Sequence, residues 1–126
     1  MPPPNQPFYR DAHLVVDPRD RVVILNSQML TLTRMEYRLL ALLVEHAAEV
    51  VPRPILLMLT RKVDMHIKGL RRKLGAYADQ YLETVFGVGY LFRPVPGAQG
   101  SGAFSWYRHR TAPAPVADRP LSSERW

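Results

Sequence analysis

The sequence predicts an α+β domain, and three observations carry that expectation. The first quarter of the chain alternates β-branched residues between turn signals. The middle runs in helical period: a capping box at Thr33 to Glu36, then apolar residues four, three and four apart from Val63 to Leu74. Two short apolar strands around Gly87-Val88-Gly89 follow.

Taken in order, residues 1–7 hold four of the twelve prolines and are expected to be a disordered leader. His13 to Val16 reads as a strand, and Asp17-Pro18-Arg19-Asp20 as a turn. Arg21 to Leu25 and Met29 to Leu32 are the next strands, around Asn26-Ser27-Gln28. Together they predict an N-terminal antiparallel β-meander, which needs a cover for its apolar face. Thr33 then opens a helix to about Ala47 or Ala48, burying Met35, Leu39, Leu42, Leu43 and Ala47. A second helix is expected from Arg53 or Pro54, because Pro suits a first helical turn. It carries Ile55, Leu56 and Leu59.

The third helix, Arg61 to Leu74, has Val63, Ile67, Leu70 and Leu74 on its apolar stripe. Gly75 caps its end. No Gly, Pro or Asn lies between Ile55 and Val63, and Leu56, Leu59 and Val63 continue one stripe. Two outcomes follow: a fused rod, with apolar surface for a homodimer or domain swap, or a tight turn near Thr60, whose hydroxyl can cap the next helix. The turn is the expectation. Residues 76–80 read as a loop, 82–86 and 90–92 as a hairpin. A helix followed by such a hairpin outlines a winged helix. The domain is expected to span 8–93, with 94–126 a low-complexity tail in which Trp106, Tyr107 and Trp126 are chance aromatics or a peptide that adheres to a partner.

Charge concentrates on the third helix. Six lysines and arginines (61, 62, 68, 71, 72, 73) stand against one acid, Asp64, in a chain whose net charge is +6. At roughly 100° per residue, Arg61, Met65, Lys68 and Arg72 lie opposite the apolar stripe. Lys62, Gly69 and Lys73 follow one flank, Asp64 and Arg71 the other. Such a face is either solvated or set against a polyanion. The pI of about 10.1 agrees with an acidic partner.

Other classes are poorly served. No cysteine exists for disulfides or thiolate metal sites. His13, His46, His66 and His109 lack ligand spacing, and no nucleophile elbow or phosphate loop occurs. Asp17 and Asp20 read as turn formers. The expectation is no enzyme, no cofactor, no metal, no membrane segment, and a cytoplasmic protein.

Three motifs, LTRMEYRLLALL (32–43), RKVDMHIKGLRRKL (61–74) and LETVFGVGYLF (82–92), resemble the effector domain of OmpR/PhoB-type response regulators. The resemblance implies a winged helix-turn-helix: N-terminal meander, three-helix core and C-terminal hairpin wing. It implies transcription control on double-stranded DNA, the basic helix in the major groove and the wing over the minor groove. The binding residues expected are Arg61, Lys62, Met65, His66, Lys68, Arg71, Arg72, Lys73, Thr84 and Tyr90. By the resemblance Arg61 and Arg71 hold phosphates, His66 sits near the backbone, Met65 touches bases, and Thr84 and Tyr90 flank the backbone from the wing. The resemblance suggests RNA polymerase as a partner, through the loop before the basic helix, and a separate receiver protein, because with a first strand near residue 8 no receiver domain is expected in this chain.

Three departures bear on readout. Gly69 stands where relatives often have Arg, and offers no donor to guanine. Phe86 replaces the arginine of the usual wing, and is expected to pack under the hairpin. The loop before the basic helix is short. The competing function is a protein-interaction or dimerisation module that keeps the fold without sequence-specific DNA readout.

Overall fold

A computed structural model describes residues 9–100. The expected leader at 1–7 and the aromatics Trp106, Tyr107 and Trp126 lie outside the described residues. In chain order come β1 (Tyr9–Arg10), β2 (Leu14–Asp17), β3 (Val22–Leu25), β4 (Gln28–Met29), α1 (Arg34–Glu45), β5 (Val51–Pro52) and α2 (Arg53–Leu57). Then follow α3 (Val63–Leu74), a 3-10 turn (Gly75–Tyr77), α4 (Ala78–Tyr81), β6 (Leu82–Val85), β7 (Gly89–Phe92) and β8 (Gln99–Gly100).

The first sheet has the order β4-β3-β2-β1-β8. Strand alternation buries Leu14 and Val16 of β2 opposite Leu25 and Val23 of β3, so each inward pair packs across the ladder. Asn26 and Ser27 both take positive φ, 51° and 66°, the backbone of a two-residue hairpin turn. That tight turn starts β4 at Gln28, and regular pairing ends at Met29. The expected strand over 29–32 is therefore shifted and shortened.

Helix α1 begins as its sequence dictates. The Glu36 N–H donates to Thr33 Oγ1 at 3.1 Å, and the Thr33 N–H donates to Glu36 Oε1 at 2.9 Å. It ends at Glu45, earlier than expected, and Ala48 turns to a φ of 71° while its N–H donates to Phe92 O at 2.8 Å. Leu40 and Val44 are buried on it, whereas Met35 and Leu42 are only partly buried. The inward stripe is rotated from the expected one because α1 is covered on two sides, by α3 and by β7.

Helices α2 and α3 are separate, not one rod. Residues 58–62 turn between them, and Thr60 Oγ1 accepts the Lys62 N–H at 3.1 Å. Helix α3 consequently starts at Val63, and Arg61 and Lys62 precede it. Leu56, Val63, Ile67, Leu70 and Leu74 join Leu39, Leu43, Tyr81 and Phe92 in one buried core. Each such side chain contributes about 1.5–3 kcal/mol relative to leaving it exposed.

The second sheet, β5-β7-β6, sets the hairpin. Strand β5, not foreseen, pairs Val51 with Tyr90 and Pro52 with Gly89. Its proline sits on an edge, where a missing N–H is tolerated. The stretch 76–80, read as a loop, is helical and buries Ala78. The chain also stays folded beyond 93. Ala98 is buried, the Val95 N–H donates to Tyr9 Oη at 3.0 Å, and β8 pairs with β1.

Candidate nucleic-acid interface

Helix α3 buries the stripe its spacing predicts and leaves the opposite side open. Arg61, Lys62, Met65, Lys68 and Arg72 are exposed. The side chains of Arg61, Lys62, Lys68 and Arg72 make no hydrogen bond or ion pair to any of the described residues. Lys68 and Arg72 stand one helical turn apart, and Met65 is 54% exposed beside them. His66 is half-buried at the margin.

The other expected contact residues are tied down within the domain. Arg71 donates to Thr84 Oγ1 at 2.9 Å, to Leu82 O at 3.2 Å and to Asp79 Oδ1 at 3.3 Å. That guanidinium joins α3 to the start of the hairpin. Lys73 Nζ sits 2.6 Å from Glu36 Oε1, and Glu36 is buried. Burial pushes the Glu36 carboxyl up, but the Lys73 and Thr33 hydrogen bonds outweigh it and hold the group below its ordinary value. Tyr90 donates to Asp64 Oδ1 at 2.5 Å.

Asp64 also receives a forked pair of bonds from Arg53, 2.7 Å to Oδ1 and 2.8 Å to Oδ2. Hydrogen bonds from Arg53 and Tyr90 hold its carboxyl down to about 2. Burial first, and then the bond to that carboxylate, push the Tyr90 hydroxyl up. The sequence reading missed Arg53, which lies outside the basic segment. The signal for it was the solitary acid among so many cations, since an exposed carboxylate in that setting recruits a guanidinium.

Two expectations about readout change. Gly69 is buried and faces α1, not outward: a Cβ there would collide with Glu36 Oε2. No groove-facing donor is missing at that position, because the residue is on the packed flank. Phe86 does not pack under the hairpin. It is 90% exposed in the turn between β6 and β7, with Val88 47% exposed beside it. Four-residue strands place it past the last paired residue, out of reach of the core.

A cleft of about 340 Å³ lies between that turn and the start of α3, lined by Arg53, Asp64, Thr84, Phe86 and Tyr90 among others. A larger groove of about 900 Å³ lies elsewhere, between β3, β4 and α1. Among the described residues no helix is long and apolar enough to cross a membrane, and no three carboxylates or histidines form a metal cluster.

Comparison with known proteins gives a consistent result. The family described as transcriptional regulatory protein, C terminal, matches residues 27–92. The transcriptional activator protein PfeR of Pseudomonas aeruginosa is 40% identical over 93 residues, covering 65% of this chain and 30% of PfeR. The chain thus spans under a third of that relative's length. The RstA DNA-binding domain of Klebsiella pneumoniae, solved in complex with the RstA box, is similar with a TM-score of 0.62 and 30% identity, over 70% of this chain and 98% of that one. The DNA-binding domain of CpxR from E. coli is similar with a TM-score of 0.61 and 32% identity, over 69% of this chain and 96% of that one.

Proposed function

The chain belongs to the family of transcriptional regulatory protein C-terminal domains, of OmpR/PhoB type, and from that premise we propose that it binds double-stranded DNA and regulates transcription in the cytoplasm. Helix α3 enters the major groove, and the β6–β7 hairpin is the wing. The observation that carries this reading is the unpaired cationic face of Arg61, Lys62, Lys68 and Arg72, backed by a fully buried stripe. Those four neutralise phosphates and set register, while Met65 meets base edges with its apolar end. His66 lies against the backbone at the margin. Arg71 with Thr84, and Tyr90 with Asp64, hold the wing to the helix. Lys73 holds Glu36. No catalytic role is proposed.

The test is retention on duplex DNA across a salt series. Wild-type protein is expected to lose about 0.9 log units of affinity per log unit of salt for each phosphate neutralised. Lys68→Ala with Arg72→Ala is expected to weaken binding at least about tenfold and to lower the slope by about two. Unchanged affinity in that double variant overturns the reading.

A second reading, a protein-interaction or dimerisation module, is supported by Ile55, Leu57 and Met58, which are 43%, 41% and 81% exposed around the turn before α3. RNA polymerase or a separate receiver protein would meet the domain there. A salt-insensitive self-association in sedimentation, without duplex retention, would favour this module.

A further inference from the structure

Asp64 is an acid placed where the proposed partner is a polyanion. Its side chain is 61% exposed, in the first turn of α3, one helical turn before Lys68. The positive end of the helix dipole accounts for an acid in the first turn. It does not account for the company Asp64 keeps. Three elements meet on this one carboxylate: Arg53 from α2, Asp64 from α3 and Tyr90 from β7. The backbone of Arg53 is engaged as well, since its N–H donates to Val88 O at 2.8 Å in the wing turn. Arg53 therefore grips the wing with its main chain and α3 with its side chain.

We propose that Asp64 is a specificity-determining positioning residue, which withholds the Arg53 charge from the DNA backbone and fixes the angle of the wing to α3. The proposal rests on the DNA-binding reading above. A free guanidinium at this edge would bind the phosphates of any duplex, adding affinity without sequence information. Forked onto Asp64, it adds no net charge. The Tyr90 hydroxyl has spent its proton on Asp64 and has none left to donate to a phosphate. Exposed ion pairs contribute little to folding stability, so the value of this one lies in where it holds its partners. Bases are read by donors and apolar groups whose register is already set, and a wing that swings loses that register.

The experiment compares the full chain with its variants on two probes, a duplex selected from a random pool by the wild-type protein and an unselected random-sequence duplex, both titrated in salt. Asp64→Asn keeps the side-chain shape but frees the arginine. It is expected to bind the random duplex about fivefold tighter, with a salt slope steeper by about one phosphate, while its preference for the selected duplex falls about tenfold. Arg53→Gln added to Asp64→Asn is expected to return the random-duplex affinity and slope to wild-type values and leave the preference low. Tyr90→Phe, which keeps both members of the ion pair, is expected to lower the preference without moving the slope, and it carries the test if Asp64→Asn melts early. A proportionate loss on both duplexes at wild-type slope would make Asp64 a merely structural strut, and unchanged binding would remove any role; either overturns the proposal. Wild-type protein that fails to bind any duplex overturns the DNA-binding reading itself, which is a different result.

Discussion

Glu36 is where three local demands converge. Its carboxylate closes the capping box of α1, takes the Lys73 ammonium at 2.6 Å, and occupies the space that a side chain at position 69 would need. The folded-state value of this carboxyl is depressed below 4.5. The stability it contributes is therefore fully present above about pH 4.5 and lost as pH falls through the folded value. Glu36→Gln is expected to cost about 2 kcal/mol at pH 7 and to flatten the acid limb of a series of thermal melts between pH 3 and pH 7. A variant whose melts keep the wild-type acid dependence would assign that dependence to another carboxylate. The cap itself was legible, because T-x-x-E is a local pattern. That the same carboxylate would meet Lys73 was not legible, because a helical wheel shows which way a lysine points and nothing about what stands there. Lys73 was therefore counted among the expected DNA-binding residues.

At the scale of elements, the wing depends on one close approach. Gly89 lies under the backbone of β5, and a Cβ there would collide with the Val51 carbonyl oxygen. Neither strand can yield without breaking the β5–β7 ladder. Gly89→Ala is expected to lose about 3 kcal/mol in a denaturant melt. Gly87→Ala, at a φ of 79° in open space, faces only the left-handed backbone penalty of about 1–2 kcal/mol. Equal losses would show that the ladder gives way easily. The hairpin was legible because two apolar strands flank glycines at turn spacing. Strand β5 was not, since two residues, one of them a proline, have no period of their own and form a strand only through partners 39 and 37 positions later. The exposed face of α3 was legible from the 3.6-residue repeat. The ties of Arg71, Thr84 and Tyr90 came from other elements, and so escaped it.

For the whole molecule, the sequence showed the α+β class and the order of meander, helices and hairpin, because each has a local signature. It placed the end of the domain too early. Gly-, Ala- and Pro-rich residues after 93 look like a tail, yet Ala98 fills the core and Gln99–Gly100 completes the first sheet. Tyr9 and Gly100 are direct partners across that last ladder. Cross-strand partners lie about 5 Å apart, so the segment 9–100 is one short splice from a ring. A circular permutant that joins Gly100 to Tyr9 through about four residues and is reopened between Arg19 and Asp20 is expected to recover the native circular dichroism spectrum and a cooperative melt. A permutant that stays unfolded would mean that assembly needs its original order of synthesis, and the geometry gives no reason for such a need: where the path is severed matters less than that its seam is closed.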